Sequence, residues 1–437
     1  MFRPTGFADL TRKRVGILGF GVEGHATRDR LDGLASSLVI VDDAPGLGPE
    51  VIVSSEGGLD ALRTCEVVLK SPGIPRRRFD VLELERNGVY VTSALNLWLH
   101  EIELSRVVAV TGTKGKSTTT SLIAFFFECV GEHALALGNL GQPPYDPTLD
   151  TSAGWLVLEV SSFQCVDIDV APANIVVTSL GSDHLDWHGS LDIYRSDKLS
   201  ITRAAGEHVT WVGEATLFHE LDDAGELGGD VRFVHADTSQ LTESLGLLGN
   251  HSHSNVALAL AVVSTLSGLS HEELRARIVE RAANFVPLKG RLTLVATETR
   301  DNETIRFVDD GLATTALPTI AALKVFAFDA VALIVGGLDR GVDYTELAEA
   351  IRQREAPTGV IAMGDAGRRL AGELRGGDAV VEVFVVDSMF DAVYRARTLL
   401  TGTGVVLFSP AAPSFDRYEN WLERSEDFER CIRETQP

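Results

Sequence analysis

Val107-Val-Ala-Val-Thr-Gly-Thr-Lys-Gly-Lys-Ser-Thr-Thr-Thr120 is the stretch that decides the fold. Its β-branched start predicts a buried strand, and the apolar pattern after Thr120 predicts a helix. Glycines between them let backbone N–H groups face one anion, and the helix N-terminus adds its positive dipole end. Lys116 suits the β- and γ-phosphates, and the Ser117 hydroxyl suits a magnesium ion. The stretch therefore predicts a loop that binds the phosphates of ATP.

The loop departs from the general G-x-x-x-x-G-K-S pattern at one position. That pattern places a glycine six residues before the lysine, where this chain has Val110. Thr111-Gly-Thr-Lys-Gly-Lys-Ser117 is therefore a shorter variant. A turn that contains Gly-Lys-Ser by chance is the alternative, and the order of strand, loop, Lys-Ser and helix argues against it.

Length and composition limit the class of protein. The 437 residues suggest two to four domains, and 45% apolar with 23% charged residues is ordinary for a globular chain. We find no apolar run of the roughly 18–20 residues that span a bilayer, no signal-peptide core and no CxxC pair. A net charge of −23 argues against nucleic acid, because phosphate binding needs basic surface. We expect a cytoplasmic enzyme with no membrane partner, no disulfide framework and no zinc cluster.

The first hundred residues repeat the order of strand, turn and helix. Arg14 to Leu18 predicts a strand, and Gly19-Phe-Gly-Val-Glu-Gly24 is a complete G-x-G-x-x-G motif. A second predicted strand, Ser37 to Val41, ends at Asp42. These residues are consistent with binding of NAD, with Asp42 bound to a ribose. They are equally consistent with a different phosphate ligand or with no ligand. Val67 to Ile74 predicts a further strand that ends at the ligand-binding edge of an open α/β sheet.

Polar residues end the predicted strands of the middle third. Glu159 lies in an apolar strand, and a buried carboxylate there needs a cation or hydrogen bonds. Asp183-His-Leu-Asp-Trp-His188 follows the predicted strand Asn174 to Ser179. Alone this cluster favours a polar loop, and beside a magnesium-type phosphate loop it favours a metal site. Magnesium prefers oxygen ligands, so Glu159 and Ser117 suit it better than His184 does.

Two further residues each have an ordinary and a functional interpretation. Lys198 lies in a helix predicted from Tyr194, and by default it is an exposed helix lysine. Asn255 precedes an Ala/Leu/Val-rich helix predicted from Val256 to Leu266. Either it caps that helix or it reads the edge of an adenine base.

The last third predicts a second alternating α/β region. Phe285 to Arg291 predicts a linker, and helices such as Tyr344 to Arg352 and Met389 to Leu399 alternate with strands, which indicates a mainly parallel sheet. The predicted strands are Ile305 to Val308, Ala330 to Val335, Gly359 to Ala362, Val380 to Val386 and Gly404 to Phe408. Polar groups at their ends mark the edge where ligands bind: Asp309-Asp310, Asp339-Arg340 and Ser409 to Arg417.

Several motifs in one order make the chain resemble the Mur ligase family over essentially its whole length, and within it the ligases that add glutamate to UDP-N-acetylmuramoyl-L-alanine. The motifs are Thr111-Gly-Thr-Lys-Gly-Lys-Ser-Thr118, Ser71-Pro-Gly-Ile74, Gly138-Asn-Leu-Gly141, Leu158-Glu-Val-Ser-Ser-Phe-Gln164, Asp183-His-Leu-Asp186, Tyr194 to Lys198 and Ser409-Pro-Ala-Ala-Pro-Ser-Phe-Asp416. The resemblance implies an α/β fold of three domains. They would be a Rossmann-like domain over residues 1–103, a P-loop ATPase-type domain over 104–289 and a Rossmann-like domain over 290–437.

The resemblance also implies the ligands and the residues that hold them. The first domain would bind the uridine diphosphate of a sugar nucleotide and not NAD. The cofactors would be ATP and two Mg²⁺ ions, the substrates UDP-N-acetylmuramoyl-L-alanine and glutamate, and the protein a monomer. The substrate-binding residues would be Gly19, Val22, Glu23, Asp42, Ser71, Pro72, Gly73, Asn139, Ser161, Gln164, Thr314, Arg340, Ser414, Phe415 and Trp421. The ATP-binding residues would be Gly112, Thr113, Lys114, Gly115, Lys116, Ser117, Thr118, Asn255, Arg291 and Asp310.

Catalysis would then depend on Lys116, Lys198 and His184, and metal binding on Ser117, Glu159 and His184. The resemblance also implies a carbamylated Lys198, which would turn an ammonium group that repels magnesium into an anion that attracts it. The implied reaction is ATP-driven amide formation through an acyl phosphate, in the synthesis of peptidoglycan precursors.

The sequence departs from the family pattern near the expected glutamate pocket. The Asp-Ser-Lys-Ala-Thr of members that add D-glutamate appears here as Asp310-Gly-Leu-Ala-Thr314, so Leu312 replaces a lysine. Arg340 stands near the place of another lysine and would hold a carboxylate with two hydrogen bonds instead of a point charge. These changes resemble a branch that adds L-glutamate, which we favour over D-glutamate.

Two other hypotheses compete with this one, a second enzyme and a protein of another class. A folylpolyglutamate synthase-like ligase shares the ATP-binding core, but the motifs at Gly19 to Gly24 and Ser71 to Gly73 argue against it. A non-catalytic nucleotide-binding module fits the missing lysine, but the phosphate-loop and metal residues named above are intact.

Overall fold

The computed structural model describes residues 2–436 apart from 140, 153, 184, 301–302 and 377–380, and at 185, 186 and 300 the backbone only. The chain divides into two compact units, Met1–Thr238 with Ser254–Arg281, and Ser239–His253 with Ala282–Pro437. Both units are built from mainly parallel sheets with helices, which confirms the predicted α/β fold. The domain boundaries at 103/104 and 289/290 stay a prediction.

The first described sheet of the first unit has five parallel strands in the order β3-β2-β1-β4-β5. The strands are β1 (Arg14–Leu18), β2 (Ser37–Asp42), β3 (Val51–Val53), β4 (Val67–Lys70) and β5 (Tyr90–Thr92), and the helices beside them are α1 (Val22–Leu31), α2 (Gly58–Leu62), α3 (Phe79–Arg86) and α4 (Ala94–Glu101). The apolar runs of β1, β2 and β4 fill the core on both faces of the sheet, as expected for a covered parallel sheet.

The second sheet of this unit is parallel and has the order β11-β10-β9-β6-β8-β7 among the described strands. The strands are β6 (Val107–Thr111), β7 (Ala134–Gly138), β8 (Trp155–Glu159), β9 (Asn174–Val177), β10 (Val209–Gly213) and β11 (Asp230–Val234), and the helices are α5 (Lys116–Cys129), α6 (Ser162–Cys165), α7 (Leu185–His188), α8 (Leu191–Leu199) and α9 (Thr216–Asp223). All five residues of β6 are buried. The chain order reverses beside β6, which has β8 on one side and β9 on the other, so the loop after β6 opens into the crevice where such sheets bind ligands.

The helix around Asn255 differs from the prediction. The helices here are α10 (Ser239–Ser244), α11 (Asn250–Ser267) and α12 (His271–Arg281). Because α11 begins at Asn250, Asn255 lies inside the helix, and the prediction that it caps the helix is wrong. The first turn of α11 is polar, so the apolar pattern marked only the part from Val256 onward.

By length and composition, no single helix in the described ranges is long and apolar enough to cross a membrane. The helices Asn250–Ser267 and His271–Asn284 reach that length and apolar character only when taken together, and they are bent by 114° relative to each other.

The sheet of the second unit has the order β12-β13-β17-β14-β15-β16 in the part that the structure describes. The strands are β12 (Thr293–Arg300), β13 (Glu303–Asp309), β14 (Ala330–Gly336), β15 (Thr358–Met363), β16 (Glu382–Val385) and β17 (Gly404–Phe408), and the helices are α13 (Ala316–Val325), α14 (Thr345–Arg352), α15 (Gly364–Arg375), α16 (Met389–Leu399) and α17 (Trp421–Glu434). The five predicted strands are confirmed, although the one predicted from Val380 starts outside the described residues. The edge strand β12 was not predicted, and its pairing with β13 is the one antiparallel pairing among these described strands.

A buried ion pair connects the two sheets of the first unit. The ammonium group of Lys70, at the end of β4, lies 2.7 Å from Asp167 Oδ2, and the two side chains are 0% and 1% exposed. Lys70 also donates a hydrogen bond to the carbonyl of Ile74 at 2.9 Å. Neither residue stood out in the sequence, because each lacks a local pattern that reveals the other.

Replacing Lys70 by methionine should leave the buried Asp167 carboxylate with only its longer contact to Arg76, at 3.4 Å. We expect Lys70→Met to lower the free energy of unfolding by about 3–5 kcal/mol, measured by urea denaturation followed by circular dichroism. Lys13→Met is the matched control, because Lys13 pairs with Glu66 at the partly exposed surface and should lose no more than about 1 kcal/mol. Equal losses in the two variants would contradict a structural role for the buried pair.

Candidate active site

The phosphate loop joins β6 to α5, and two of its glycines have backbone angles that other residues rarely adopt. Gly112 has φ +141° and Gly115 has φ +88°. A Cβ atom on Gly112 would collide with Thr178 Oγ1, and one on Gly115 would lie 2.5 Å from Asn255 Oδ1. The carbonyl of Lys114 accepts a hydrogen bond from Thr178 Oγ1 at 2.6 Å. The loop is therefore held in one shape, with α5 starting directly behind it.

Two lysines meet at one backbone carbonyl of this loop. Lys116 Nζ donates to the Gly112 carbonyl at 3.0 Å, and Lys198 Nζ donates to the same oxygen at 2.9 Å. Lys198 is only 2% exposed, so its default interpretation as a surface lysine is wrong. Burial and the nearby Lys116 charge lower the pKa of Lys198 to about 7. The tip of Lys198 lies 5.0 Å from the centroid of the Tyr194 ring, and the Tyr194 hydroxyl is 2.8 Å from Thr113 Oγ1.

The Glu159 carboxylate offers an oxygen to a cation. Its Oε1 accepts a hydrogen bond from Asn139 Nδ2 at 3.1 Å. Its Oε2 is buried and has no hydrogen-bond donor among the described residues. The Ser117 hydroxyl is also buried, in the first turn of α5. Both groups are oxygen donors of the kind that Mg²⁺ prefers, so the residues present fit this ion.

The rest of the predicted metal site is less complete. Within the described residues, no group of three or more His, Cys, Asp or Glu side chains forms a cluster. His184, predicted to be catalytic and to bind metal, lies outside the described residues. Lys114 pairs with Asp183 Oδ2 at 3.2 Å, and Thr118 is half-buried in the first turn of α5.

The predicted substrate residues of the first sheet meet at its carboxyl edge. The Ser71 hydroxyl donates to the carbonyl of Gly19 at 2.7 Å. Asp42 Oδ2 accepts a hydrogen bond from the backbone N–H of Phe20 at 2.6 Å, and its Oδ1 accepts one from the N–H of Ala44 at 2.8 Å. Asp42 therefore stabilises the glycine-rich turn that follows β1. Val22, Pro72 and Gly73 lie on the same turns, and Val22 is 72% exposed.

A second predicted group joins the first sheet to the second. Glu23 accepts hydrogen bonds from the Tyr145 hydroxyl at 2.8 Å and from Gln164 Nε2 at 2.7 Å. Gln164 and Ser161 form a capping box at the start of α6. Burial raises the pKa of Glu23, although both of its hydrogen bonds lower it. Sequence analysis missed Tyr145, because its loop matches no motif.

In the second unit, two adjacent carboxyl groups end β13. Asp309 accepts hydrogen bonds from the backbone N–H groups of Gly290 and Gly311 and from the Ser425 hydroxyl, so it holds the loop in place. Asp310 Oδ2 accepts a hydrogen bond from Ser409 Oγ at 2.7 Å. Burial raises the pKa of Asp310 to about 7, and the Asp309 charge adds to the shift.

A buried arginine that sequence analysis did not identify holds three loops at this edge. The Arg424 guanidinium donates to the carbonyls of Gly311, Gly336 and Ala412 at 3.0–3.4 Å. Burial lowers the pKa of Arg424 to about 10. No motif marks it, because its role depends on carbonyls from three separate segments.

The predicted glutamate-pocket residues lie on loops of the same unit. The exposed Arg340 guanidinium lies 5.7 Å from the centroid of the exposed Phe415 ring, close enough for a cation–π contact. Ser414 is buried and Thr314 is exposed. Trp421 begins α17, and its ring packs on Gly290. Arg291, the residue after Gly290, is exposed.

Comparison with known proteins identifies the family. Residues 110–224 match the model of the Mur ligase middle domain. The chain is 35% identical to the UDP-N-acetylmuramoyl-L-alanine--L-glutamate ligase of Micromonospora sp., with 98% of each chain covered. The chain belongs to the Mur ligase family. A ligase of the same name from Salinispora tropica is also 35% identical, over 98% of this chain and 99% of that one, and one from Xanthomonas axonopodis is 31% identical over 96% and 95%.

Solved structures of Mur ligases share the fold. The MurF ligase of Thermotoga maritima in complex with ADP gives a TM-score of 0.54 at 16% identity, over 99% of this chain and 98% of that one. The UDP-N-acetylmuramate-alanine ligase MurC of the same organism gives 0.53 at 18% identity, over 97% and 100%. The resemblance inferred from the motifs is confirmed. Mur ligases use ATP, and this chain is accordingly an ATP-dependent ligase.

The raised pKa of Asp310 predicts a pH dependence of stability. In the unfolded chain this carboxyl loses its proton near pH 4, whereas in the folded protein it keeps the proton up to about pH 7. The folded state binds the extra proton in this interval, so stability falls as the pH rises from about 4 to about 7. The variant Asp310→Asn removes this titration. We expect its free energy of unfolding, measured by urea denaturation, to compare more favourably with that of the wild type at pH 8 than at pH 5.

Asp339→Asn is the control for this experiment. The N–H of Gly341 and the Arg369 guanidinium lower the pKa of Asp339, so its contribution to stability is complete at both pH values. This variant should therefore be destabilised equally at pH 5 and pH 8. A constant difference between Asp310→Asn and wild type would show that Asp310 is ionised throughout this range.

Proposed function

We propose that the protein uses ATP to add glutamate to UDP-N-acetylmuramoyl-L-alanine, in the synthesis of peptidoglycan precursors. The observation that carries the proposal is the phosphate loop with two lysines on the Gly112 carbonyl and the unsatisfied Glu159 oxygen beside it. Relatives that bear this activity in their names align over nearly the whole chain, which supports the substrates. The same alignment favours this reaction over a folylpolyglutamate synthase-like one.

The phosphate loop would bind ATP through residues 112–118. Backbone N–H groups at the start of α5 would face the phosphates, and the helix dipole would add to the attraction. Lys116 now donates to two carbonyls of its own loop, at Gly112 and Thr113, and would exchange them for γ-phosphate oxygens. The substrate's alanyl carboxylate attacks the γ-phosphorus, and the bond to ADP breaks, which gives an acyl phosphate and ADP. The glutamate amine then attacks the acyl carbon, loses a proton, and the tetrahedral intermediate releases phosphate.

Ser117 and Glu159 would hold Mg²⁺, with His184 as a further ligand and a second ion beside it. Bound there, the metal would offset the negative charge of the triphosphate. Lys198 with a pKa of about 7 is substantially neutral at physiological pH, and a neutral amine is the form that takes up CO₂. We therefore assign a carbamate to Lys198, whose negative charge would attract the ion that an ammonium group repels.

The remaining assignments follow the sheet edges. The turns of the first sheet that carry Gly19, Val22, Asp42 and Ser71 to Gly73 would hold the uridine diphosphate. Glu23, Asn139, Ser161 and Gln164 would extend that site towards the phosphate loop. Asn255, Arg291 and Asp310 would contact the adenine nucleotide. The proposal includes a cytoplasmic monomer with domains at 1–103, 104–289 and 290–437.

We assign L-glutamate as the amino acid. Leu312 stands where members that add D-glutamate have a lysine, so a cation is missing from that pocket. Arg340 would clamp a glutamate carboxylate with two hydrogen bonds, and Phe415 lies against its guanidinium. Thr314, Ser414 and Trp421 would complete the pocket. The names of the relatives, which specify L-glutamate, support this choice.

A direct assay tests both the reaction and the isomer. We expect release of phosphate and a product heavier by one glutamate residue when the protein is incubated with UDP-N-acetylmuramoyl-L-alanine, MgATP and L-glutamate. D-glutamate should give a rate at least about 100-fold lower, because its carboxylates meet the pocket in the wrong arrangement. Lys116→Ala should lose at least about 100-fold in rate and serves as the negative control. Turnover with D-glutamate alone would overturn the isomer assignment.

The carbamate on Lys198 makes a separate prediction. We expect Lys198→Ala to lose at least about 100-fold in kcat, because the site loses an anion that belongs beside the metal. Added formate or acetate should restore part of the rate, since a short carboxylate can occupy the vacated space. The same acids added to Lys116→Ala should have no effect. Absence of rescue in Lys198→Ala would count against the carbamate.

A further inference from the structure

Three consecutive arginines lie shortly after the Ser71-Pro-Gly73 turn, and two of them pair with aspartates from the part of the chain that forms the second sheet. Arg76 lies 3.4 Å from Asp167, the partner of Lys70. Arg77 binds Asp197 with two parallel hydrogen bonds of 2.8 Å each. Two parallel bonds fix the relative orientation of the two groups as well as their distance. The segment that ends the ligand turn of the first sheet is thus attached to α8.

The attachment continues into the interior through a histidine. Asp197 Oδ2 also lies 2.7 Å from His188 Nδ1, and His188 Nε2 lies 3.0 Å from the Ser162 hydroxyl at the start of α6. The His188 side chain is completely buried and the Asp197 side chain is 6% exposed. Burial would raise the pKa of Asp197, but hydrogen bonds from Arg77 and His188 lower it below its usual value. Asp197 is therefore a buried anion that needs both partners.

A second contact binds the same turn to α7. The Trp187 indole N–H donates to the carbonyl of Gly73 at 3.0 Å. Trp187 is the neighbour of His188, and its ring packs 4.7 Å from that of Phe163. The ligand turn of the first sheet is thus held at both ends, at Gly73 by α7 and at Arg77 by α8.

Asp197 directly precedes Lys198, whose ammonium group contacts the phosphate loop. Adjacent residues of one helix move together, so a displacement at Asp197 is a displacement of Lys198. We propose that Arg77, Asp197 and His188 are positioning residues, which transmit the seating of the nucleotide sugar on the Ser71–Gly73 turn, by way of the segment from Ile74 to Arg78, to Lys198 and so couple the two ligand sites. This inference rests on the proposed function, because it takes the first sheet as the uridine diphosphate site.

The coupling depends on the free energy needed to separate Arg77 from Asp197. Drawing Arg77 away would leave Asp197 buried with one partner fewer, which is strongly unfavourable. A ligand that fixes the segment keeps Arg77 in place and therefore favours the arrangement in which Lys198 faces Gly112. Arg77 itself is 55% exposed, so its pair with Asp197 lies at the surface of this unit.

The test measures binding of two probes, UDP and the magnesium complex of a non-hydrolysable ATP analogue, by calorimetry. In the wild type, saturation with UDP should tighten binding of the analogue by about 5–20-fold, a typical coupling between two sites. In Arg77→Ala each probe should bind alone with near wild-type affinity, while the coupling falls to about 1. Its kcat should fall about tenfold, with the KM for glutamate unchanged. Arg77→Lys, which keeps one ion pair, should retain part of the coupling.

Arg78→Ala is the matched control. Arg78 is on the same segment but pairs with Asp43 and Asp80, both near the first sheet. This variant should keep the full coupling and its kcat. Asp197→Asn keeps the shape of the side chain and removes its charge, so it provides an independent second variant that should lose the coupling.

The outcomes distinguish a failure of the coupling from a failure of the proposed function. Full coupling in Arg77→Ala or in Asp197→Asn would overturn the positioning role of Arg77, Asp197 and His188. The same conclusion would follow if the wild type bound UDP without any change in its affinity for the analogue. A wild type that does not bind UDP would instead overturn the assignment of the first sheet, and with it the proposed function.

Discussion

The carbonyl of Gly112 accepts hydrogen bonds from both Lys116 and Lys198, and the chemistry of the site depends on this shared oxygen. It is available because the backbone at Gly112 has a positive φ and leaves no space for a Cβ atom. Two ammonium groups on one oxygen repel each other, and burial adds to the cost. The repulsion is relieved when Lys198 becomes neutral or when a polyanion enters the loop. The site therefore favours a neutral Lys198 and an anionic ligand in the loop.

Local patterns predicted the parts of the structure that local forces determine. The phosphate loop combines a strand, glycines and a helix start within fourteen residues, and the alternation of strands and helices in the last third is visible without any partner. The helix at Asn255 shows the limit of this approach. Its first turn is polar, so the start of the helix was placed too late and Asn255 was taken as a cap, although its amide packs beside Gly115.

Contacts between distant segments stayed invisible for a physical reason. Lys70 and Asp167, Arg77 and Asp197, and Glu23 and Tyr145 are each about 100 residues or more apart, and no spacing rule connects them. Arg424 is similar, since it serves carbonyls of three loops. In both units, buried charges hold the loops at the carboxyl edges of the strands. A glycine-rich turn reveals its function in sequence, whereas the charges that hold such a turn in place look like ordinary surface residues.

The hydrogen bond from Trp187 to Gly73 has a spectroscopic consequence. An indole emits at a wavelength that depends on the polarity around its N–H, and this N–H is bound to the turn assigned to the uridine diphosphate. The ring also packs against Phe163 and His188, so its environment changes if the turn or α7 shifts. One of the five tryptophans of the chain thus lies at the joint between its first two sheets, and a shift at that joint should change its share of the protein's emission, without a label.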